Sequence, residues 1–206
     1  MIRPSLPSTS NPPVMPGSKL RQAVSMVAML NLAYFAIEFA VAQAIGSVSL
    51  FADSIDFLED ATVNGIILVA LRWHPHRRGA VGIVLAAILL VPGLATVHQA
   101  LEKLAHPLPP SPLALSVTAL GALAVNLYCA YTLATVRREG GSLSRAAFLS
   151  ARNDALANIA MIVAGGFTAV WQFAWPDLIV GLAILVMNLD AAREIYVAAR
   201  TELRAT

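Results

Sequence analysis

Residues 49–71 run SLFADSIDFLEDATVNGIILVAL, a stretch long enough to cross a bilayer yet carrying four carboxylates, Asp53, Asp56, Glu59 and Asp60. A bilayer core asks for about 20 mostly apolar residues per helix. Acidic groups placed there cost several kcal/mol on insertion scales and mark a pathway or a site. At about 3.6 residues per turn, Asp53, Asp56, Asp60 and Asn64 share one narrow stripe, with Glu59 roughly a third of a turn away.

The rest of the chain fits that setting. Of 206 residues, 58% are hydrophobic and 13% charged, and the mean hydropathy is +0.70. Soluble domains carry about a quarter charged residues, so this composition excludes a water-facing enzyme or a disordered chain. A net charge of +2 with 14 dispersed basic residues gives no nucleic-acid patch. One cysteine, Cys129, excludes an internal disulfide and a CxxC knuckle. The sequence predicts an all-α membrane protein with six transmembrane helices at 22–45, 49–71, 79–101, 112–135, 147–171 and 175–195.

These spans divide the chain into a disordered cytoplasmic N-terminal segment 1–20, a six-helix domain 21–197 and a short cytoplasmic tail 198–206. The first segment lacks the apolar core of a signal peptide, so no processing is expected, and no C-terminal cytoplasmic domain is expected. Twelve basic residues lie at the termini and in the loops after spans two and four, against Lys103 alone on the opposite side. Arg152 falls within a span. Both termini are therefore expected in the cytoplasm. Trp73 falls at an inner boundary and Trp171 and Trp175 at an outer one. Gly140-Gly141 predicts a loop between spans four and five, and Pro92-Gly93 a kink in span three.

Spans two and five align without gaps. Glu59-Asp60-Ala61-Thr62-Val63-Asn64 faces Asn153-Asp154-Ala155-Leu156-Ala157-Asn158, and Asn31-Leu32 of span one has a counterpart in Asn126-Leu127 of span four. Three spans per half predict an inverted 3+3 repeat, a transporter plan with its site near midplane. Chance similarity of two Ala/Val-rich helices is the rival explanation.

Several carboxylates in a dry layer repel one another and need a cation, protons or water. A divalent cation with oxygen ligands answers that need. Asp60 stands 12 residues before Arg72 and Asp154 stands 9 after Arg145, so both fall near mid-membrane. Asp56 and Asp60 supply two ligands, and Asp154 with Ser150 or Asn153 the others. Asp53, Glu38 and Asn31 are candidates for the proton or ion path. Pairing of some acids with Arg152, or with water in a cavity, is the structural alternative. His74 and His76 are read as incidental histidines of a basic interfacial loop, a transient landing for cytosolic metal being the alternative, and His98 and His106, near the outer side, as bystanders. Met26, Met29, Phe35 and Met161 are read as packing.

Gly46-Ser47-Val48-Ser49-Leu50 leading into Asp53, Asp56 and Asp60 resembles the second-helix signature of the cation diffusion facilitators. Asn31 and Glu38 match that family's first-helix Asn and Glu, Glu102 through Pro107 (EKLAHP) its third-helix exit, and Pro176-Asp177 its sixth-helix entry. The resemblance covers residues 22–196, and the second-helix motif is the specific part. It implies a six-helix exporter of divalent metals, zinc or a similar ion such as cobalt or manganese, driven by proton antiport. It also implies a homodimer, which here must form through the membrane part.

Carried over by position, the metal ligands are Asp56, Asp60 and Asp154, with Ser150 where the family has His or Asp. Ser is a poor zinc ligand beside imidazole, which leaves a harder ion open. The metal is substrate, and no cofactor is expected. A bacterial inner membrane is the expected location. Two other readings compete: a membrane metal sensor or scaffold with a degenerate site, and an intramembrane aspartyl protease using Asp60 and Asp154. The latter lacks a Gly-x-Gly-Asp run near either acid.

Overall fold

The computed structural model describes residues 17–70 and 93–204, without the side chains at 136–152 and at a few positions near helix ends. All regular structure among these residues is α-helix. Helix α1 spans Gly17–Ile45, α2 Val48–Ala70, α3 residues 93–105, α4 Pro112–Trp171 and α5 Trp175–Arg204. The all-α membrane architecture expected from the sequence is present. The N-terminal segment 1–16, the loop from Arg72 to Arg78 with Trp73, His74 and His76, and the Pro92 kink lie outside the described residues.

Helix α4 is 60 residues long and would reach about 90 Å if straight. It does not run straight, because Gly165 packs against Ser116, and a Cβ on Gly165 would sit 3.4 Å from the Pro112 carbonyl oxygen. The chain therefore doubles back into two antiparallel arms, Pro112–Thr135 and Asn153–Trp171, each apolar enough to cross a membrane. The midpoint between Ser116 and Gly165 falls at Gly140-Gly141, where the sequence predicts a loop. The structure corrects that expectation: the backbone stays helical throughout. Paired glycines permit a sharp bend without an open loop.

Turns elsewhere follow their residues. Gly46 takes the left-handed conformation (φ 62°) that ends α1, and the Ser47 amide bonds the Ala42 carbonyl at 3.1 Å. Gln172 adopts φ 51° at the end of α4, and its amide caps Thr168 O at 2.9 Å. Pro112 opens α4 at a position where a missing N–H costs nothing.

The packing is that of a molecule whose outer solvent is apolar. Met29, Leu113, Leu120, Val170 and Ile179 are exposed on the outside, while Asn31, Glu38, Asp53, Asn158 and Asp177 are buried. Inside, two apolar clusters flank a polar layer. One joins Ala42, Leu50, Phe51, Ile55, Leu115, Ala119, Met161 and Ile184 toward the end of the bundle that carries Gly46. The other joins Val24, Val27, Cys129, Ala130 and Leu133 toward the opposite end. Three helices are long and apolar enough to span a bilayer among the described residues, Lys19–Ile45 and the two arms of α4. Helix α2 is not one of them, because it carries four carboxylates despite being apolar on average.

Candidate functional site

The layer between the two clusters collects carboxylates from three elements. Helical spacing along α2 presents Asp53, fully buried, then Asp56 and Asp60, half-buried. Glu59, placed off the stripe by its spacing, is buried as well. The second arm of α4 brings Asp154, also buried, and α1 brings Glu38 with no exposed surface. Asp56 lies within electrostatic range of Asp154, Asp53, Glu59 and Asp60, and Asp154 within range of Asp60, Asp53 and Glu59. Asp56, Asp60 and Asp154 thus lie within electrostatic range of one another.

Asn31 ties α1 to this layer. Its Nδ2 donates to Asp60 Oδ2 at 3.3 Å, and its Oδ1 accepts from Cys129 Sγ at 3.5 Å. Asn31 is fully buried, so both ends of its amide are used where an unmade bond is expensive. One further feature repeats between α2 and the second α4 arm. Asn64 Nδ2 donates to the Asp60 carbonyl at 2.8 Å, and Asn158 Nδ2 donates to the Asp154 carbonyl at 2.8 Å. Each asparagine spends its donor one turn back and leaves its Oδ1 buried without a partner. The Asp-x-x-x-Asn pattern seen in the aligned sequences is therefore one local structure used twice.

Of the remaining candidates, Asn153 is exposed and has contacts of its own, while Asp154 beside it is buried. Ser150 lies on the helical backbone of α4, and its side chain is outside the described residues. Among the described residues, no three His, Cys, Asp or Glu side chains stand close enough to hold one metal ion. The carboxylates are gathered but are not a finished coordination shell. Ionised, such carboxylates are acceptor-only groups, a chemistry that suits a cation or a proton.

A second polar node, at the Gly46 end, escaped the sequence reading. Asp177, in the first turn of α5 and fully buried, accepts from Ser47 Oγ and Ser49 Oγ, both at 2.6 Å. It also accepts from the backbone amides of Val48 at 3.0 Å and Ser49 at 3.2 Å. A carboxylate at a helix N-terminus satisfies orphan amides and meets the positive end of the dipole. The Lys103 ammonium of α3 lies 3.6 Å from Asp177 Oδ2 and donates to Gly46 O at 2.5 Å. Burial pulls the Lys103 ammonium below the ordinary lysine range, and the Asp177 carboxylate acts in the opposite sense. One ion pair thus joins α2, α3 and α5. Its sequence signal was present: Lys103 is the lone basic residue on its side of the predicted topology.

His98 pairs loosely with Glu102 at 3.9 Å on an exposed face of α3, and neither it nor His106 meets the acidic layer. Trp171 and Trp175 are both exposed and flank the turn between α4 and α5. Compared with known proteins, residues 24–203 match the family described as the cation efflux transmembrane domain. No curated protein matches the chain.

Proposed function

Since the chain belongs to the cation efflux family, whose members are membrane cation transporters rather than enzymes, we propose that it exports a divalent transition metal from the cytoplasm in exchange for protons. Zinc, cobalt and manganese are the candidate substrates. The observation that carries this reading is the convergence of Asp56 and Asp60 on α2 with Asp154 on α4, in a layer closed at both ends by apolar clusters. Carboxylate oxygens favour hard or borderline ions. In this reading Asp56, Asp60 and Asp154 hold the ion, and Ser150, Asn153 or water completes its shell.

The charge asymmetry of the loops supports cytoplasmic termini, and in this reading the Gly46 end faces outward. The ion enters from the side of Ala70 and draws α2 and the second α4 arm together, since the carboxylates must approach to share it. Rocking of the helices then opens the site outward, where protons compete the ion off. The protein works in a bacterial inner membrane, as a homodimer joined through its membrane part. Metal uptake into everted vesicles tests the proposal. Asp60→Ala and Asp154→Ala should each abolish pH-linked uptake, and undiminished uptake in both would sink it.

A second reading, a membrane metal sensor or scaffold with a degenerate site, draws on the absence of a preformed three-ligand cluster among the described residues and on Ser150. Calorimetric titration of the purified protein identifies a degenerate scaffold, which shows no metal binding, whereas a sensor binds metal but supports no uptake into everted vesicles.

A further inference from the structure

The metal set of Asp56, Asp60 and Asp154 leaves three carboxylates of the polar layer without a role, Glu38, Asp53 and, off the stripe, Glu59. Glu38 and Asp53 have no exposed surface, and none of their four carboxylate oxygens receives a hydrogen bond from an N–H or hydroxyl donor. The ion pairs among the described residues lie elsewhere, at His98–Glu102 and Lys103–Asp177, and neither involves Glu38 or Asp53. Buried carboxylates in folded proteins are otherwise hydrogen-bonded or paired, because removing a charge from water is costly.

Register brings the two together. Asn31 bonds Asp60 across the α1–α2 contact. Seven residues further along α1 is Glu38, and seven back along α2 is Asp53. Seven residues make about two turns and return to the same helix face, about 10 Å nearer the Gly46 end. The two carboxyls interact directly with each other, and Glu38 reaches from a different helix into the α2 stripe.

Glu38, Asp53, Asp56, Glu59, Asp60 and Asp154 place six carboxylates in one layer. A single divalent ion at the transport set compensates only two negative charges. A second ion between Glu38 and Asp53 meets four oxygens and two charges, a match in number and in chemistry for an oxygen-seeking divalent cation.

We propose that Glu38 and Asp53 form a second divalent-cation station, on the outward side of Asp56, Asp60 and Asp154, that receives the ion as it leaves the transport set. The station rests on the transport reading for its direction but not for its existence. Asp56, one helical turn from Asp53, is the step between them. Beyond Asp53 the cluster of Leu50, Phe51 and Leu115 closes the route until the bundle opens.

The test is a Co2+ titration of the full chain in lipid nanodiscs, followed by calorimetry. The wild type should bind two ions per chain. Glu38→Gln and Asp53→Asn, nearly isosteric, should each bind one, with the remaining affinity within threefold of wild type and uptake reduced at least tenfold. That remaining ion shows the variants are folded. Glu38→Asp, which keeps the charge, should still bind two. A wild type that binds one ion, as expected if Glu38 and Asp53 merely share a proton, overturns the station. So does a stoichiometry of two retained in both neutral variants, or loss of all binding in both, which would mean a single shared site. If Asp60→Ala and Asp154→Ala leave uptake intact while two ions still bind, the transport reading fails and the station survives.

Discussion

Removing the Asp177 carboxylate should destabilise the protein more than any other single change outside the acidic layer. In Asp177→Ala, the hydroxyls of Ser47 and Ser49 and the amides of Val48 and Ser49 lose their acceptor. Lys103, whose side chain is 7% exposed, keeps only the Gly46 carbonyl. Breaking a buried ion pair from one side costs about 3–5 kcal/mol, because the other charge stays buried and uncompensated. Loss of an N-cap alone accounts for about 1 kcal/mol, so the stranded charge should dominate. For a chain of this size, about 1 kcal/mol corresponds to a shift of about 2–4 °C. The melting temperature should therefore fall by on the order of 10 °C. The assay is loss of the monodisperse size-exclusion peak after heating in detergent. Lys103→Met should cost less, since Asp177 keeps its four hydrogen-bond donors, and adding Lys103→Met to Asp177→Ala should restore part of the loss. The reasoning is refuted if Asp177→Ala melts within about 2 °C of wild type, or if the double variant is no better than Asp177→Ala.

Gly181→Ala addresses the same corner by steric means. A methyl there would lie 2.8 Å from the Ser49 amide nitrogen and the Val48 carbonyl carbon. Backbone cannot yield cheaply, so α5 must shift from α2 at a cost of about 1–3 kcal/mol, read in the same melting assay. Asn31→Ala removes the donor to Asp60 and the acceptor from Cys129. It should weaken metal binding to the full chain about tenfold, equivalent to about 1.4 kcal/mol, with calorimetry as the measure, and unchanged affinity would show that Asn31 does not orient Asp60.

The acidic layer was legible because helix geometry and membrane cost are both local. Asp53, Asp56 and Asp60 share a stripe by their spacing alone, and their presence in an apolar span marks them as special. Asp154 was found by the same logic applied to a second span. Lys103 stood out as the lone basic residue on its side, but its pairing in the Asp177 node was not legible, because Asp177 lies 130 residues from Ser47 and on a different helix from Lys103. No periodicity connects positions so distant. Glu59 shows a different limit: its angle on the helix places it off the stripe, yet α2 is so enclosed that this side is buried too. At Gly140-Gly141 the residues gave the place of the reversal but not its form. Glycine permits both a loop and a bent helix, and the choice depends on how the two arms pack.

The two polar features act on the same helix, at different heights, and this relation constrains any movement of α2. Its N-terminus is tied to α5 and α3 through Asp177 and Lys103, with Gly181 in close contact beside it. A helix held at one end moves in proportion to distance from that end. Asp60 lies twelve residues beyond Val48, about 18 Å along the axis. A tilt of about 10° there displaces it by about 3 Å, whereas Asp53 at about 8 Å moves little more than 1 Å. Closing Asp60 onto Asp154 therefore needs only a small tilt, and the Glu38–Asp53 pair stays nearly fixed while it happens. The same anchor that stabilises the bundle also decides which carboxylates can move: the pair nearest the node is a fixed platform, and the set farther along is the adjustable one. If the anchor is cut in Asp177→Ala, α2 gains freedom at its N-terminus. The binding stoichiometry at Glu38 and Asp53 should then suffer before that at Asp56, Asp60 and Asp154.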